Sequence, residues 1–322
     1  MKNRTTIATL SLEVTSEADA YLYFEKLRWA NGATCAHCAS ANVYFIEPSN
    51  GVSRKSASGK MSERRVWRCR ECKRQFSVIT NTIMHGTKAP LRIWLMVIFE
   101  MMSSKNGVAA REIERKYGIT PCSAWFMLHR IREAMGRDDA SLFTGNVVAD
   151  ETFIGGEPKN RHYRKDGISR RFPQKTAVAS LIDAETGEAR SQVVNNVSAI
   201  TLAKVIRKNV ETPTATLHTD ASPSYFDIGM TMAGHHSVNH SAGQYTTEKS
   251  HGTNLLENYF GQLKRSLDGT HHHVSTKHLN RYLGEFDYRY STCDLSDTER
   301  MSDFATRVAG RLTYKVVKTP TR

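Results

Sequence analysis

Two aspartates in the second half of the chain stand where apolar segments end. Asp150 follows the apolar run in "NVVADETFIGG" (residues 146–156), and Asp220 ends "TATLHTD" (residues 214–220). A lone carboxylate at the end of an interior strand is costly unless a cation or a proton neutralises it. A cap on a turn explains either aspartate alone. Two on neighbouring strands, joined by an acid from a helix, predict an oxygen-rich pocket for two Mg²⁺ (or Mn²⁺) ions, which suits phosphodiester chemistry.

The segment "HGTNLLENYFGQLKR" (residues 251–265) contains the candidates for that third group. Asn254 and Glu257 are three residues apart, and Lys264 follows Glu257 by seven. On a helix these side chains lie along one edge. An apolar stripe that would dock the helix on a core lies beside them, formed by Leu256, Phe260, Leu263 and Leu267. The pattern thus predicts an amphipathic helix that carries polar groups to the edge of a sheet.

Four of the six cysteines form two pairs, "CAHC" and "CREC", separated by thirty residues. Two such knuckles can close a tetrahedral zinc site from four thiolates, and strand-like stretches at 43–46 and 65–68 between them are typical of a zinc ribbon. Two disulfides, or a redox pair, are the alternatives, but a redox pair explains only one CxxC. We therefore predict one structural Zn²⁺, with these ligands: Cys35, Cys38, Cys69 and Cys72.

A helical block follows at about residues 85–140. Within it, "KYGITPCSAW" has the punctuation of a helix-turn-helix, because Gly118 can make the turn, Thr120 can cap the next helix and Pro121 suits its first position. The second helix is predicted to offer three side chains to DNA: His129, Arg130 and Arg132. An ordinary helical hairpin is the alternative.

The charge balance favours a polyanionic partner. There are 45 Lys and Arg against 32 Asp and Glu, a net charge of +13, and such an excess commonly accompanies nucleic-acid binding. The longest apolar run, "WLMVIFEMM", is too short to span a bilayer, and the N-terminal residues lack the pattern of a signal peptide. We therefore expect a cytoplasmic protein with no membrane partner.

From residue 145 short β-like runs alternate with helical ones, ending in "STKHLNRYLGEFDYRY" (residues 275–290). Strand, hairpin, helix, strand, strand and helix predict an α/β domain with a mixed sheet. The predicted segments are a helical lead (1–30), a zinc ribbon (31–80), a helix-turn-helix block (85–140), the α/β domain (145–292) and a basic C-terminal tail (293–322). A basic loop at 159–175 and the tail are either solvated or contact phosphates.

Several stretches together resemble the bacterial insertion-sequence transposases of the ISXO type, which carry a zinc ribbon and an RNase-H-like DDE domain. They include "LRWANGATCAHC", "RCRECKRQFSVITNTIM", "ADETFIGG", "HTDASPSY", "VNHSAGQY" and "NLLENYFGQLKRSLDGTHHH". The resemblance implies a multidomain α+β protein with an RNase-H-like catalytic domain. It also implies Asp150 and Asp220 as metal-binding acids and Mg²⁺-dependent cleavage and joining of transposon ends.

The resemblance also bears on the third member of the site. Glu257 and Asn254 both lie at a suitable distance after Asp220, and transposases of this superfamily commonly place a Lys or Arg seven residues after the acid, as Lys264 is placed after Glu257. Because a carboxylate neutralises a hard dication better than an amide, we favour Glu257 as the ligand and Asn254 as an auxiliary group. Lys264 would hold a DNA phosphate.

The implied partners are double-stranded DNA, as the terminal inverted repeats of the transposon and as target, and further copies of the chain assembled on DNA in the bacterial nucleoid. Two other functions fit the residues. One is a zinc-ribbon, helix-turn-helix regulator with a catalytically inactive RNase-H-like domain, and the other is a nuclease without strand transfer. The acids and Lys264 argue against the inactive regulator, whereas the nuclease would share the same site.

Overall fold

The structure is a computed structural model that describes residues 5–48, 51, 53–55, 59, 61–136, 141–155, 175–238 and 254–318. The chain forms two compact units. The first contains Met1–Met135 and Asp294–Arg322, and the second contains Gly136–Cys293. The basic loop predicted at 159–175 lies outside the described residues except for its last one, as does most of "VNHSAGQY".

The ribbon of the first unit is built from short strands around aromatic side chains. Its strands are β1 (Val43–Phe45), β2 (Arg54–Lys55), β3 (Met61–Ser62), β4 (Trp67–Cys69) and β5 (Gln75–Phe76). β4 lies between β1 and β5 in an antiparallel sheet, and β2 pairs with β3. Trp29 packs edge-to-face on Trp67 and on Phe76, so a few rings replace the core that so small a domain lacks.

Helices make up the rest of the first unit. They are α1 (Ile7–Glu13), α2 (Glu17–Arg28), α3 (Leu91–Ser103), α4 (Ala110–Tyr117), α5 (Pro121–Met135), α10 (Asp297–Arg307) and α11 (Tyr314–Lys318). The apolar helix α3 is buried along most of its length. Among the described residues, no helix has both the length and the apolarity needed to cross a membrane.

The turn between α4 and α5 has the predicted chemistry. Gly118 adopts a left-handed conformation with φ of 61°, which costs glycine no steric strain. The Thr120 hydroxyl accepts the Ser123 N–H at 3.3 Å, and Pro121 is the first residue of α5. Helix α4 therefore ends before Gly118, and helix α5 begins at Pro121, as the sequence predicts.

The structure contradicts the prediction that three side chains of α5 face outward. His129 is 0% exposed, Arg130 5% and Arg132 1%, so the expectation that they are available to DNA is wrong. Helices α3, α10 and α11 all pack on α5 and leave only its first turn exposed at 121–123. Helical periodicity identified one apolar face, but the neighbouring helices cover more of α5 than that face.

The C-terminal segment also differs from the predicted tail. α10 buries Met301 and Phe304 and packs on α2, α3 and α5. Beyond it, Ala309 bridges Thr82, and Tyr314 of α11 packs edge-to-face on Phe126 of α5. Residues 294–318 are therefore part of the folded first unit.

A five-stranded mixed sheet forms the centre of the second unit, as predicted. Its strands are β6 (Asn146–Ile154), β7 (Thr176–Asp183), β8 (Ala189–Val194), β9 (Thr216–Asp220) and β10 (Gly234–Val238). The order across the sheet is β10-β9-β6-β7-β8. β6, β7 and β8 are antiparallel neighbours, whereas β9 runs parallel to β6 and β10 parallel to β9.

Helices cover both faces of this sheet. They are α6 (Ala199–Asn209), α7 (Phe226–Gly229), α8 (Asn254–Ser266) and α9 (Thr276–Ser291), with a 3₁₀ turn at Pro223–Tyr225 and a π turn at Leu267–His271. Val147 and Ala149 point into a core shared with α6 and the 3₁₀ turn. Val148, one residue between them, points into the core shared with α8 and α9. The alternation of β6 thus decides which helix each of its side chains meets.

The edge strand β8 is protected by side chains of α9. The backbone N–H groups of Ala189, Ser191 and Val193 donate to Ser291, Asp287 and Asn280, respectively, at 2.8–2.9 Å. An open strand edge invites pairing with another chain. In β8 the outward N–H groups donate to side chains of α9 instead, so they are not available to another strand.

Candidate active site and metal centre

Asp150 and Asp220 each lie two residues beyond the end of the parallel pairing between β6 and β9. In the parallel pair of β6 and β9, Asn146 is opposite Thr216 and Val148 is opposite His218. Continued by two residues, this register sets Asp150 opposite Asp220. Asp150 shares the sheet face of Val148, which is the face covered by α8 and α9.

Helix α8 brings Glu257 to this position. Its apolar stripe, with Leu256 and Leu263 both 0% exposed, packs on the side chains of Val148 and Val178. Glu257 is exposed beside the stripe, yet its charge reaches Asp150 and raises the pKa of that carboxyl. The amphipathic pattern therefore puts one acid of the helix within electrostatic range of Asp150.

The electrostatics of Asp150 are those of a crowded acidic site. Burial is the main cause that raises its pKa from 3.8 to about 7, and the charges of Glu151, Asp220 and Glu257 add to it. The Glu151 N–H, which donates to Asp150 Oδ1 at 2.7 Å, acts in the opposite direction. Carboxylates gathered in this way favour a bound cation or proton. Because hard oxygen donors suit Mg²⁺ and Mn²⁺, the donor set fits the divalent metal that the sequence predicts.

Asp220 also caps its own turn. Its Oδ1 accepts the Ser222 N–H at 3.0 Å, as expected of an aspartate at the start of a turn. A local cap was one explanation for this residue, and its charge also acts on Asp150. Asp183, by contrast, accepts the N–H groups of Glu185 and Thr186 within the β7–β8 hairpin.

The other two predicted residues of α8 are exposed. Asn254 is the first residue of the helix, one turn before Glu257, and Lys264 lies two turns after Glu257. All three therefore share one edge of α8, as the spacing predicts.

Two residues that the sequence analysis missed adjoin the acids. The Tyr225 hydroxyl donates to Glu151 Oε2 at 2.5 Å, and Tyr225 is 1% exposed. Burial, followed by the charge of Asp220, raises the pKa of Glu151. This bond ties β6, which carries Asp150, to the 3₁₀ turn that begins three residues after Asp220. The only signals were the acid directly after Asp150 and the tyrosine that ends "HTDASPSY".

The four paired cysteines of the ribbon converge. Their sulfur atoms all lie within 4.8 Å of one another, and the Sγ atoms of Cys35 and Cys72, like those of Cys38 and Cys69, are 3.6 Å apart. Zinc–sulfur bonds of about 2.3 Å arranged as a tetrahedron require sulfur atoms about 3.8 Å apart. The cluster therefore has the geometry of a structural zinc site. The neighbouring His37 Nε2 lies 3.3 Å from the Gln75 carbonyl oxygen.

The two units resemble two domain families of mobile elements. Residues 143–291 match the ISXO2-like transposase domain, and residues 15–75 match the transposase zinc-ribbon domain. A relative described as an uncharacterized protein in transposable element ISH50 of Halobacterium salinarum is 22% identical over 284 residues. The match covers 85% of this chain and 90% of that protein.

Solved structures with weaker similarity include two viral proteins. The catalytic core domain of BIV integrase is 14% identical with a TM-score of 0.29, over 44% of this chain and 81% of that one. A chain of the simian T-cell lymphotropic virus intasome in complex with PP2A regulatory subunit B56 gamma is 14% identical with a TM-score of 0.28, over 58% of this chain and 66% of that one. Because both TM-scores are below 0.3, neither structure supports a conclusion about the fold or the function.

Proposed function

Because this chain belongs to the insertion-sequence transposases with a zinc ribbon and an ISXO2-like catalytic domain, we propose that it cuts and joins DNA with Asp150, Asp220 and Glu257. The observation that carries this proposal is that α8 packs on the face of β6 that bears Asp150, where the charge of Glu257 acts on that carboxyl. The β6–β9 pairing ends at Val148 and His218 and, continued by two residues, would bring Asp150 level with Asp220; the charge of Asp220 also acts on Asp150.

The three carboxylates would hold Mg²⁺ or Mn²⁺. Two such ions, when bound, activate an attacking oxygen and stabilise the leaving oxygen of a phosphodiester. The protein's own contribution is to fix the carboxylates on rigid elements, two on the central strands and one on a helix docked by its buried stripe. A site held in this way keeps the geometry that phosphoryl transfer depends on.

Glu257, rather than Asn254, is proposed as the third ligand. A carboxylate offsets the charge of a hard dication and an amide does not. Glu257 is also the residue of α8 whose charge reaches Asp150. Asn254 would orient a neighbouring group, and Lys264 would bind a DNA phosphate on the same exposed edge.

Tyr225 and Glu151 are proposed as positioning residues. The Tyr225 hydroxyl fixes the Glu151 side chain, and the Glu151 backbone N–H fixes Asp150. The pair would thereby hold the two aspartate-bearing segments at a constant separation while DNA binds and leaves.

Because the predicted face of α5 is buried, we propose instead that the first unit contacts DNA through the exposed start of this helix. Arg115 at the end of α4, and Thr120 and Ser123 at the beginning of α5, are exposed. The N-terminal residues of the second helix of such a motif are the ones that approach base edges in the major groove. Assembly of several copies on paired transposon ends remains a prediction.

The decisive experiment is a cleavage and joining assay with Mg²⁺ on a duplex that carries the ends of the chain's own element. We expect nicking at the transposon end and transfer of the freed strand into a second duplex. Asp150→Asn and Asp220→Asn should abolish both products. Cleavage without joined product would identify a nuclease, and binding without either product would identify a regulator.

A further inference from the structure

A loop after the ribbon and a segment after α10 are joined by backbone hydrogen bonds. The Ile83 N–H donates to the Val308 carbonyl at 2.9 Å, and the Gly310 N–H donates to the Asn81 carbonyl at 2.7 Å. His85 and Arg311 follow directly on the two joined segments. Two residues far apart in the sequence are thus held on one small surface of the first unit.

Arg130 of α5 lies beneath this surface. Its Nη2 donates to the carbonyl oxygen of His85 at 2.6 Å, and its guanidinium lies 5.3 Å from the Trp94 ring and 5.1 Å from the Phe126 ring. The side chain is 5% exposed, and its Nε is buried with no hydrogen-bond partner. Arg130 is therefore fixed by a carbonyl and two aromatic faces rather than by an acid.

The charge of Arg130 is not neutralised within the described protein. Among the residues that the structure describes, no carboxylate pairs with Arg130 or Arg311. The well-buried Arg190 and Arg289 of the second unit do pair, with Glu188 and Glu285. Burial of an unpaired cation is costly. Burial first, and then the charge of Arg311, lowers the pKa of Arg130 to about 10, so it remains charged at neutral pH.

His85 adds a directed donor. Its Nδ1 accepts the Asn81 N–H at 3.1 Å, so in the neutral ring the proton is on Nε2. Burial lowers the pKa of His85, and the charges of Arg311 and Arg130 lower it further. The neutral ring can therefore donate from Nε2 at neutral pH. Arg311 itself is exposed.

We propose that His85, Arg130 and Arg311 form an anion site that binds one phosphate of the DNA backbone. Arg311 and the His85 Nε2–H would contact the phosphate oxygens directly, and Arg130 would supply positive charge from below. Such a contact positions the protein on the duplex without reading its sequence. The inference deepens the proposed function, since it takes the DNA of that function as the ligand.

The test compares Arg311→Ala with Arg307→Ala in the full chain. Arg307 lies four residues earlier and already pairs with Asp303 at 2.9 Å, so its removal changes the net charge equally without opening the proposed site. Binding to a duplex carrying the element's terminal repeat is measured between 50 and 200 mM salt, roughly the range over which phosphate contacts dominate. Arg311→Ala should reduce the slope of log K against log salt by about 1. His85→Ala should weaken binding in the same direction, and Arg307→Ala should leave the slope unchanged.

Two other results would overturn the proposal. An Arg311→Ala slope equal to that of the wild type, in a protein that still binds and cuts the duplex, would remove the phosphate contact and leave the proposed function intact. A wild-type chain that neither binds nor cuts its own ends would remove both. A further experiment measures the melting temperature in the presence of inorganic phosphate. If phosphate raises the melting temperature of the wild type but not of Arg311→Ala, while the DNA slopes agree, the site takes free phosphate rather than DNA.

Discussion

At the scale of the residue, the acids of the second unit differ in burial and therefore in what each can do. Asp150 is half-buried and has a raised pKa. Asp220 also caps its own turn, and Glu257 is exposed on a helix that is docked without it. Substitution at each position consequently tests a different property of the site.

Glu257→Gln keeps the size of the side chain but removes the charge that would offset two dications. We expect strand cleavage to fall by roughly two orders of magnitude or more, since the metals supply most of the charge stabilisation. Asn254→Ala should cost about tenfold or less, and Lys264→Ala should chiefly weaken engagement of the DNA end. Single-turnover cleavage rates measure the first two effects. Because all three residues are exposed, melting temperatures should be unchanged. If Asn254→Ala abolishes cleavage while Glu257→Gln retains most of it, Asn254 is the third member.

The raised pKa of Asp150 predicts a pH-dependent stability when no divalent metal is added. The folded state holds the proton up to a pH of about 7, whereas the unfolded chain releases it near 3.8. Between these values the folded state binds more protons, so stability decreases as the pH rises. Asp150→Asn should remove this loss and raise the melting temperature at pH 8 by about 2–6 °C.

The melting temperatures of the wild type and Asp150→Asn are compared in buffer without added divalent metal. No chelator is used, because it would remove the zinc of the ribbon. Added Mg²⁺ should stabilise the wild type more than the variant. Equal melting curves for the two proteins across pH 4–8 would contradict the raised pKa.

The cysteine cluster predicts one tightly held zinc ion. Metal analysis of the purified chain should find about one equivalent of zinc, and Cys38→Ser should lose most of it. Cys122→Ser, at an exposed cysteine outside the cluster, is the matched control. A folded wild-type chain without zinc would refute the assignment.

At the scale of the element, the contact between α9 and β8 closes one edge of the central sheet. Asp287 has the largest share of it, since it accepts both the Ser191 N–H and the Tyr259 hydroxyl. Tyr259 is 1% exposed, so its hydroxyl has little access to water as an alternative partner. The helix therefore stabilises the edge through a few polar side chains as well as through its apolar face.

Asp287→Ala is expected to lower the free energy of unfolding by about 2–3 kcal/mol, because it leaves buried donors without an acceptor. Asn280→Ala, which affects only the more exposed N–H of Val193, should cost about 0.5–1 kcal/mol. Urea denaturation of the full chain measures both. Equal losses would mean that burial of the donors does not decide the cost.

At the scale of the whole molecule, the first unit is assembled from both ends of the chain. Helices α10 and α11 supply buried side chains to the unit that contains the ribbon and α3 to α5. A fragment that ends near residue 140 therefore lacks part of its own core. The segment expected to be a solvated tail is a structural part of this unit.

We predict that a fragment of residues 1–140 is poorly folded, whereas residues 1–135 joined to 294–322 by a flexible linker unfold cooperatively. Removal of Met301, Phe304 and their neighbours exposes an apolar surface on α3 and α5, which should appear as dye binding and loss of near-ultraviolet dichroism. If 1–140 melts as sharply as the joined chain, the C-terminal helices are dispensable.

Several features could be predicted from residue types and their spacing. The cysteine cluster, the turn at Gly118 and the apolar stripe of α8 depend on local geometry and on chemistry that few residue types can perform. A CxxC pair can bind a metal whatever surrounds it, and an amphipathic helix must dock by its apolar face. These inferences needed no knowledge of the neighbouring elements.

Other features were decided by tertiary contacts. The side chains of α5 at His129, Arg130 and Arg132 have the composition of a DNA-facing surface, yet α3, α10 and α11 cover them. Two of these helices, α10 and α11, come after the second unit in the sequence. The bond between Glu151 and Tyr225 joins residues 74 positions apart. The charge of Glu257 acts on Asp150 only because α8 packs on that face of the sheet. Burial and charge at a position depend on which distant segments fold over it, and periodicity along one element carries no information about them.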